Sequence, residues 1–316
     1  MPASPSRDRS PSALAGSLLV ADSFRVRTNP RTGVAEVRGL DRHRDRFARS
    51  VLACWPGAAE REAEMRPAVE ALIGEYGAER GTASFICSVR RPEEERLLRG
   101  VDAFLDDALA RIAEYGEGFP RLELRGDGDR DPELGLALRP LPELHDTIEL
   151  RTAGHVGVER AGVKGPNISR YSALNRELGA EALLLDPRGR VLEGTTTSLV
   201  WWTDGGDGSG HYVDEPWGSN AAADRVGSIT EELLREAAQK RLVGRRPNRR
   251  RTGALSAGRP TPAELSQHEV WAVNALHGIR VVTRIDDVAL PAPDADRLRW
   301  FRDALDRAWQ PLTPRN

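Results

Sequence analysis

The chain has 316 residues, 39% of them hydrophobic, 30% charged and 5% aromatic, with a formal net charge of −2. That length holds two ordinary domains, each with its own core. The near-neutral charge excludes a dedicated nucleic-acid binder, whose footprint is a basic surplus, and the longest apolar runs fall far short of the roughly 20 residues that span a bilayer. The opening "MPASPSRDRSPSALAG" lacks a long apolar segment, so residues 1–15 read as a disordered tail rather than a signal peptide, and the protein as cytoplasmic. Cys54 and Cys87 form neither a disulfide framework nor a metal-spaced cluster, and no metal site is expected.

In chain order, "SLLVADSFRVRTN", the turn "PRTG" and "VAEVRGL" read as a hairpin. "DRHRDRFARSVLACW" follows at helical spacing, with Asp41 placed to cap it. A second amphipathic helix covers 63–77, a strand 82–90, and "VDAFLDDALARIAEYG" is a third helix. "FPRLELRGDG" and "LGLALRPLP" form a strand pair around an exposed loop. The proline-rich "RPLPELHD" is the linker between a small N-terminal domain, 16–145, and a C-terminal domain, 146–316. Beyond it come the strand "TIELRTA", the helix "SRYSALNRELGA", and a run of strands through "EALLLDPRGRVLEGTTTSLVWW" with "DPRG" as a tight turn. Trp201 and Trp202 are expected to fill a core behind Glu193. "GSITEELLREAAQ" is a helix, "PTPAELSQH" a short one, and "EVWAVNALHGIRVVTRID" a strand, polar turn and strand. The arginine-rich run at 244–253 reads as a solvated loop, with an anionic partner as the other reading. The class is α+β with mixed sheets.

Of 46 Lys plus Arg, lysine occurs only at Lys164 and Lys240. A lysine ammonium can lose its proton near neutral pH when buried or set beside another cation, whereas a guanidinium cannot. Only the neutral amine attacks a carbonyl to form a Schiff base. Lys164 is therefore either a carbonyl-chemistry lysine or a chance survivor in an arginine-rich composition. Its surroundings favour the first reading. Glu193 ends a strand before the hydroxyl cluster "GTTTS", a carboxylate suited to a pyridinium nitrogen. "GSIT" opens a helix whose free N–H groups suit a phosphate. "VNAL" is another polar turn. Lysine, acid and phosphate cradle together point to pyridoxal phosphate.

From about residue 18 to 285 the sequence resembles the class IV aminotransferases, the fold-type IV pyridoxal-phosphate enzymes. These include branched-chain and D-amino acid aminotransferases and aminodeoxychorismate lyases. The family's "H-x-x-R-L" matches "HRDRF", implying that Arg46 binds the cofactor phosphate and that His43 orients it. Its lysine segment matches Lys164, Asn167 and Tyr171, implying that Lys164 carries the Schiff base. "D-x-x-G-x-V-x-E-G" matches "DPRGRVLEG", so Glu193 would hold the ring nitrogen. "L-x-G-I-T-R" appears as "VGSITE": Val226 would lie under the ring, Ser228 stands for the glycine, and Ile229 and Thr230 match. "VNALHGIRVV" resembles the last phosphate-contacting turn and gives Asn274 and Ala275. The resemblance implies a two-domain homodimer. Its small N-terminal domain is α/β, its larger domain a barrel-like mixed sheet, and the active site lies between them.

Several positions depart from that pattern. Ser198 stands for the usual asparagine, Glu231 for the arginine after "G-I-T", and Arg25 for the acid of the first strand's Phe-Glu. The Thr pair that lyases carry after that Phe is missing. The substrate candidates are Tyr171, Thr196, Thr197, His277 and Arg130, the last matching a loop arginine that traps a carboxylate in relatives. The implied function is amino transfer between an amino acid and a 2-oxo acid through a Lys164 Schiff base. Aminodeoxychorismate lyase and a catalytically silent binding relative are the alternatives.

Overall fold

The computed structural model describes residues 16–56, 92–127, 131–203, 209–213, 224–243 and 255–312. The expected tail, the helix over 63–77, the strand over 82–90, Cys87, Arg130 and the run at 244–253 lie outside them.

The expected opening hairpin is broken in two. β1 (Ser17–Ser23) pairs antiparallel with β4 (Arg121–Gly126), which continues to β5 (Glu133–Ala137). β2 (Val26–Thr28) forms the hairpin with β3 (Ala35–Arg38), and β15 (Trp309–Pro311) adds to the other edge of β3. The break falls at Phe24–Arg25 because the Arg25 N–H is taken by the Ala275 carbonyl rather than by a neighbouring strand. α1 (Leu40–Cys54) starts from Gly39, not Asp41. Gly39 has φ 66°, where a side chain is strained, and a Cβ there would meet Ile229 Cγ2 at 2.9 Å. Asp41 sits in the first turn, where its charge still favours the helix N-terminus. α2 (Pro92–Tyr115) begins well before the expected apolar run, with Pro92 at its head and Glu93, Glu94 and Glu95 in its first turn.

Among the described residues, the large sheet contains nine strands. β6 (Thr147–His155) lies parallel to both β7 (Glu181–Leu185) and β13 (Gly278–Ile285). β8 (Val191–Gly194), β9 (Ser198–Trp202), β10 (Gly210–Val213), β11 (Ser256–Gly258), β12 (Glu269–Asn274) and β14 (Val288–Ala289) complete it. β7 and β8 form the hairpin expected across "DPRG". The sheet is curled, and β8 at its end returns against β9. α3 (Ile168–Leu178), α4 (Ile229–Val243), α5 (Pro262–Leu265) and α6 (Ala295–Asp306) surround it. Thr261 and Glu264 close a capping box on α5.

Apolar side chains of α1, α2 and the small sheets form one core. The large sheet has a core on each face. Neighbouring residues of a strand point to opposite faces, so Trp201 and Trp202 enter different cores and do not share one behind Glu193. Among the described residues, no helix is long and apolar enough to cross a membrane.

Candidate active site

A cavity of about 350 Å³ opens between the small sheets and the curled sheet, a size typical of sites for small ligands. It gathers Arg46, Lys164, Tyr171 and Glu193, the Thr196–Thr197 loop, the Val226–Thr230 segment, and the Asn274–His277 turn.

Lys164 is set by a backbone clamp. Its carbonyl accepts the Ala21 N–H at 2.7 Å, and Gly165, at φ 148°, lies so close to β1 that a Cβ would meet Val20 Cα at 2.7 Å. The side chain keeps a partly open face to the cavity. Burial of the amine, helped by the Arg46 charge, brings it from 10.5 down to about 8.

Asp22, on the same stretch of β1, was not singled out in the sequence. It is 1% exposed, and it takes Arg46 Nε at 2.7 Å and Nη2 at 2.9 Å. His43 Nδ1 lies 2.7 Å from the same carboxylate, so His43 orients Arg46 only through Asp22. Although burial raises a carboxyl's pKa, the charges and hydrogen bonds of Arg46 and His43 outweigh it and hold Asp22 below the usual carboxylate range. Burial lowers His43. The imidazole is then neutral, with its proton on Nδ1 facing Asp22. Arg46 Nη1 donates to the Gly227 carbonyl at 2.9 Å. With five N–H groups on a guanidinium, one remains on each terminal nitrogen for an anion.

At the other side, Glu193 stands next to the last residue of β8, 7% exposed. Burial pushes it from 4.5 up to about 8, opposed by the more distant Arg225 and by a hydrogen bond from the Val226 N–H. No side chain among the described residues forms an ion pair with it. Tyr171 lines the same wall; burial, then the Glu193 charge, raise its phenol, so it stays a protonated donor.

Ser228 caps α4: its Oγ accepts the Glu231 N–H at 3.3 Å and its carbonyl the Glu232 N–H at 3.0 Å. The N–H groups of Ile229 and Thr230 therefore have no acceptor within the helix. Asn274 folds its turn by accepting from Leu276 N at 3.1 Å and His277 N at 2.9 Å. The hydroxyls of Thr196 and Thr197 both donate to Glu181, at 2.8 and 2.7 Å, and Arg280 donates to the same carboxylate at 3.1 Å. Burial and the Arg280 charge lower His277 to about 4, so it is neutral; its Nδ1 accepts the His145 N–H at 3.2 Å.

The sequence reading also missed Arg139. It sat inside the expected linker, yet its Nη2 donates to Ser23 Oγ at 3.0 Å and its Nε to the Phe119 carbonyl at 3.0 Å, beside the cavity. Among the described residues it has no carboxylate partner. The donors and acceptors thus suit a ligand with an anion at one end and a protonated nitrogen at the other, with the Lys164 amine between them.

No family profile matches the chain, and no curated protein does either. Solved structures do. A hypothetical aminotransferase from Mycobacterium tuberculosis in its PLP-bound form aligns over 95% of each chain with TM-score 0.59 and 17% identity. A T.th. branched-chain amino acid aminotransferase, complexed with N-(5'-phosphopyridoxyl)-L-glutamate, aligns over 93% of this chain and 89% of its own. Its TM-score is 0.60 and its identity 16%. A Legionella pneumophila protein assigned as a 4-amino-4-deoxychorismate lyase covers 94% of this chain and 97% of its own at TM-score 0.58 and 13% identity. The chain has their fold. It is the fold-type IV architecture, mixed α+β around a curled sheet, that the resemblance implied.

Proposed function

We propose that the protein is a pyridoxal-phosphate-dependent aminotransferase of the class IV kind, moving an amino group between an amino acid and a 2-oxo acid. One observation carries the reading: a single cavity holds the Lys164 amine between the Arg46 guanidinium and a buried Glu193 carboxyl that, among the described residues, has no cation paired with it. Bound there, pyridoxal phosphate supplies a carbonyl open to amines and a ring that accepts electrons from a substrate carbon.

Arg46, the N–H groups of Ile229 and Thr230, and the Asn274–Ala275 turn would hold the phosphate, with Ser228 fixing the helix end. Val226 would lie beneath the ring. Glu193 would face the ring nitrogen, where an opposite charge favours its ionised form. Lys164, lowered to about 8, has a neutral fraction at physiological pH that attacks a carbonyl, and the same Nζ can then carry a proton. Arg139, charged and in no ion pair among the described residues, is the side chain best placed to hold a substrate carboxylate. Tyr171 is a protonated donor beside Glu193. Thr196 and Thr197, their hydroxyl protons directed to Glu181, offer a substrate only acceptor lone pairs. A homodimer, supported by the sequence resemblance, and a cytoplasmic chain divided near residue 145, supported by its composition and its proline-rich linker, complete the reading.

The test adds candidate amino acids to purified holoenzyme and follows the visible absorption of the cofactor. Conversion to the pyridoxamine form with release of a 2-oxo acid is expected. Pyruvate formed from aminodeoxychorismate without that conversion assigns the lyase instead. A chain that neither takes up the cofactor nor responds to any amine is a binding relative. Borohydride should fix the cofactor to the peptide containing Lys164, and label on Lys240 would sink the assignment.

A further inference from the structure

Two of the departures from the family pattern, Ser198 and Glu231, meet at one side chain. Arg225 is 1% exposed and reaches into the core between β9, β10 and α4. Its Nη2 donates to the Val213 carbonyl at 2.7 Å and pairs with Glu231 at 3.1 Å; its Nη1 lies 3.4 Å from Ser198 Oγ. An arginine at 231 would set two guanidiniums together. Both departures thus face the same buried guanidinium.

The backbone that follows Arg225 touches both poles of the cavity. The Val226 N–H donates to Glu193, and the Gly227 carbonyl accepts Arg46 Nη1 at 2.9 Å. Ser228 then caps α4. On the other side, Asp224 is tied to Arg259 at 2.7 Å. The segment has no regular secondary structure of its own, so its course depends on what anchors it.

We propose that Arg225 is a positioning residue: its buried guanidinium pegs the 224–228 segment so that Val226 holds Glu193 and Gly227 holds Arg46. A residue that fixes a loop through three separate elements transmits geometry without touching a ligand, as supporting contacts do around other sites. The inference rests on the proposed function, because it assigns Glu193 and Arg46 to the two ends of one cofactor.

The experiment measures the affinity of the apoprotein for pyridoxamine 5′-phosphate, which needs no covalent bond to Lys164, alongside the thermal midpoint. Exchanging a buried ion pair for apolar side chains of similar volume often leaves stability intact. Arg225→Met with Glu231→Leu is therefore expected to keep its midpoint within about 4 °C of wild type and to bind about tenfold or more weakly. The control is another buried pair, Glu269 on β12 with Arg297 on α6. Glu269→Leu with Arg297→Met should leave the affinity at the wild-type value. Arg225→Lys keeps the charge but has one ammonium for partners on β9, β10 and α4, and should weaken binding about threefold or more even if the double variant does not fold. Wild-type affinity in Arg225→Lys or in the double variant, or equal losses in the two pairs, overturns the peg. A wild-type chain that does not bind pyridoxamine 5′-phosphate overturns the functional reading and the peg with it.

Discussion

Asp22 and Glu193 are both buried carboxyls beside Lys164, 1% and 7% exposed, and their surroundings push them in opposite directions. Asp22 meets a guanidinium on two of its nitrogens and an imidazole N–H, and stays ionised despite burial. Glu193 has one backbone donor and, among the described residues, no paired cation, so burial wins and its acid form persists to about 8. Equal burial thus yields one finished ion pair and one that awaits a partner. The finished pair orients Arg46. The unfinished one is where a ligand's protonated nitrogen gains most.

The largest change should come from Lys164→Arg, which leaves a cation near Glu193 but removes the proton that the amine can give up. Turnover should fall by about four orders of magnitude or more, on the order of 5 kcal/mol, because no deprotonable amine remains. Circular dichroism should show the fold retained. Measurable turnover near the wild-type rate would falsify the lysine assignment.

Asp22→Asn breaks the finished pair from one side. A part-buried cation left without its counter-charge costs up to about 3 kcal/mol, to be read from urea unfolding of the apoprotein. An Asn variant as stable as wild type would mean that Arg46 is held mainly by Gly227.

Glu193→Gln tests the unfinished pair. Cofactor uptake should persist, while the proton-transfer step slows about a hundredfold, near 3 kcal/mol. Single-turnover kinetics with a Cα-deuterated donor should show this; an unchanged rate and isotope effect would remove Glu193 from the role of ring partner.

The smallest effect is a difference in pH slope. A carboxyl whose folded pKa is raised from 4.5 to about 8 contributes stability that is fully present below 4.5 and is lost as pH rises through 8. Asp22, depressed, contributes above its unfolded value of 3.8 and loses that only as pH falls through its folded pKa. From pH 6 to 7.5 the apoprotein should therefore lose stability that the Glu193→Gln variant keeps, roughly 2 kcal/mol. Parallel curves for the two proteins would show that Glu193 is already ionised in the folded chain.

The sequence made Lys164, Glu193 and the α4 start legible because each is announced locally, by a scarce residue type, a strand end or a capping serine, while Arg46 was legible through the resemblance of "HRDRF". Asp22, Arg139 and Arg225 were not legible in that way. Their meaning comes from partners far along the chain: Arg46 and His43, Ser23, and Ser198 with Glu231. An acid in the apolar run "LLVADSF" was the one available signal for Asp22. The same limit explains the broken first hairpin, since no local pattern reveals that the Ala275 carbonyl takes the Arg25 N–H. It also explains Gly39, whose place at the head of α1 depends on Ile229.

The clamp of Lys164 on β1 bears on how the protein folds. The Ala21 N–H and the Lys164 carbonyl come from distant parts of the chain, and Gly165 allows almost no space between them. Closing so long a loop costs chain entropy before any contact repays it. Secondary structure and the separate cores should therefore form in early kinetic phases, while the lysine reaches its register in a late one. In stopped-flow refolding, competence to take up the cofactor should lag behind the recovery of helical signal. Gly165→Ala should lengthen that lag more than it slows the early phases.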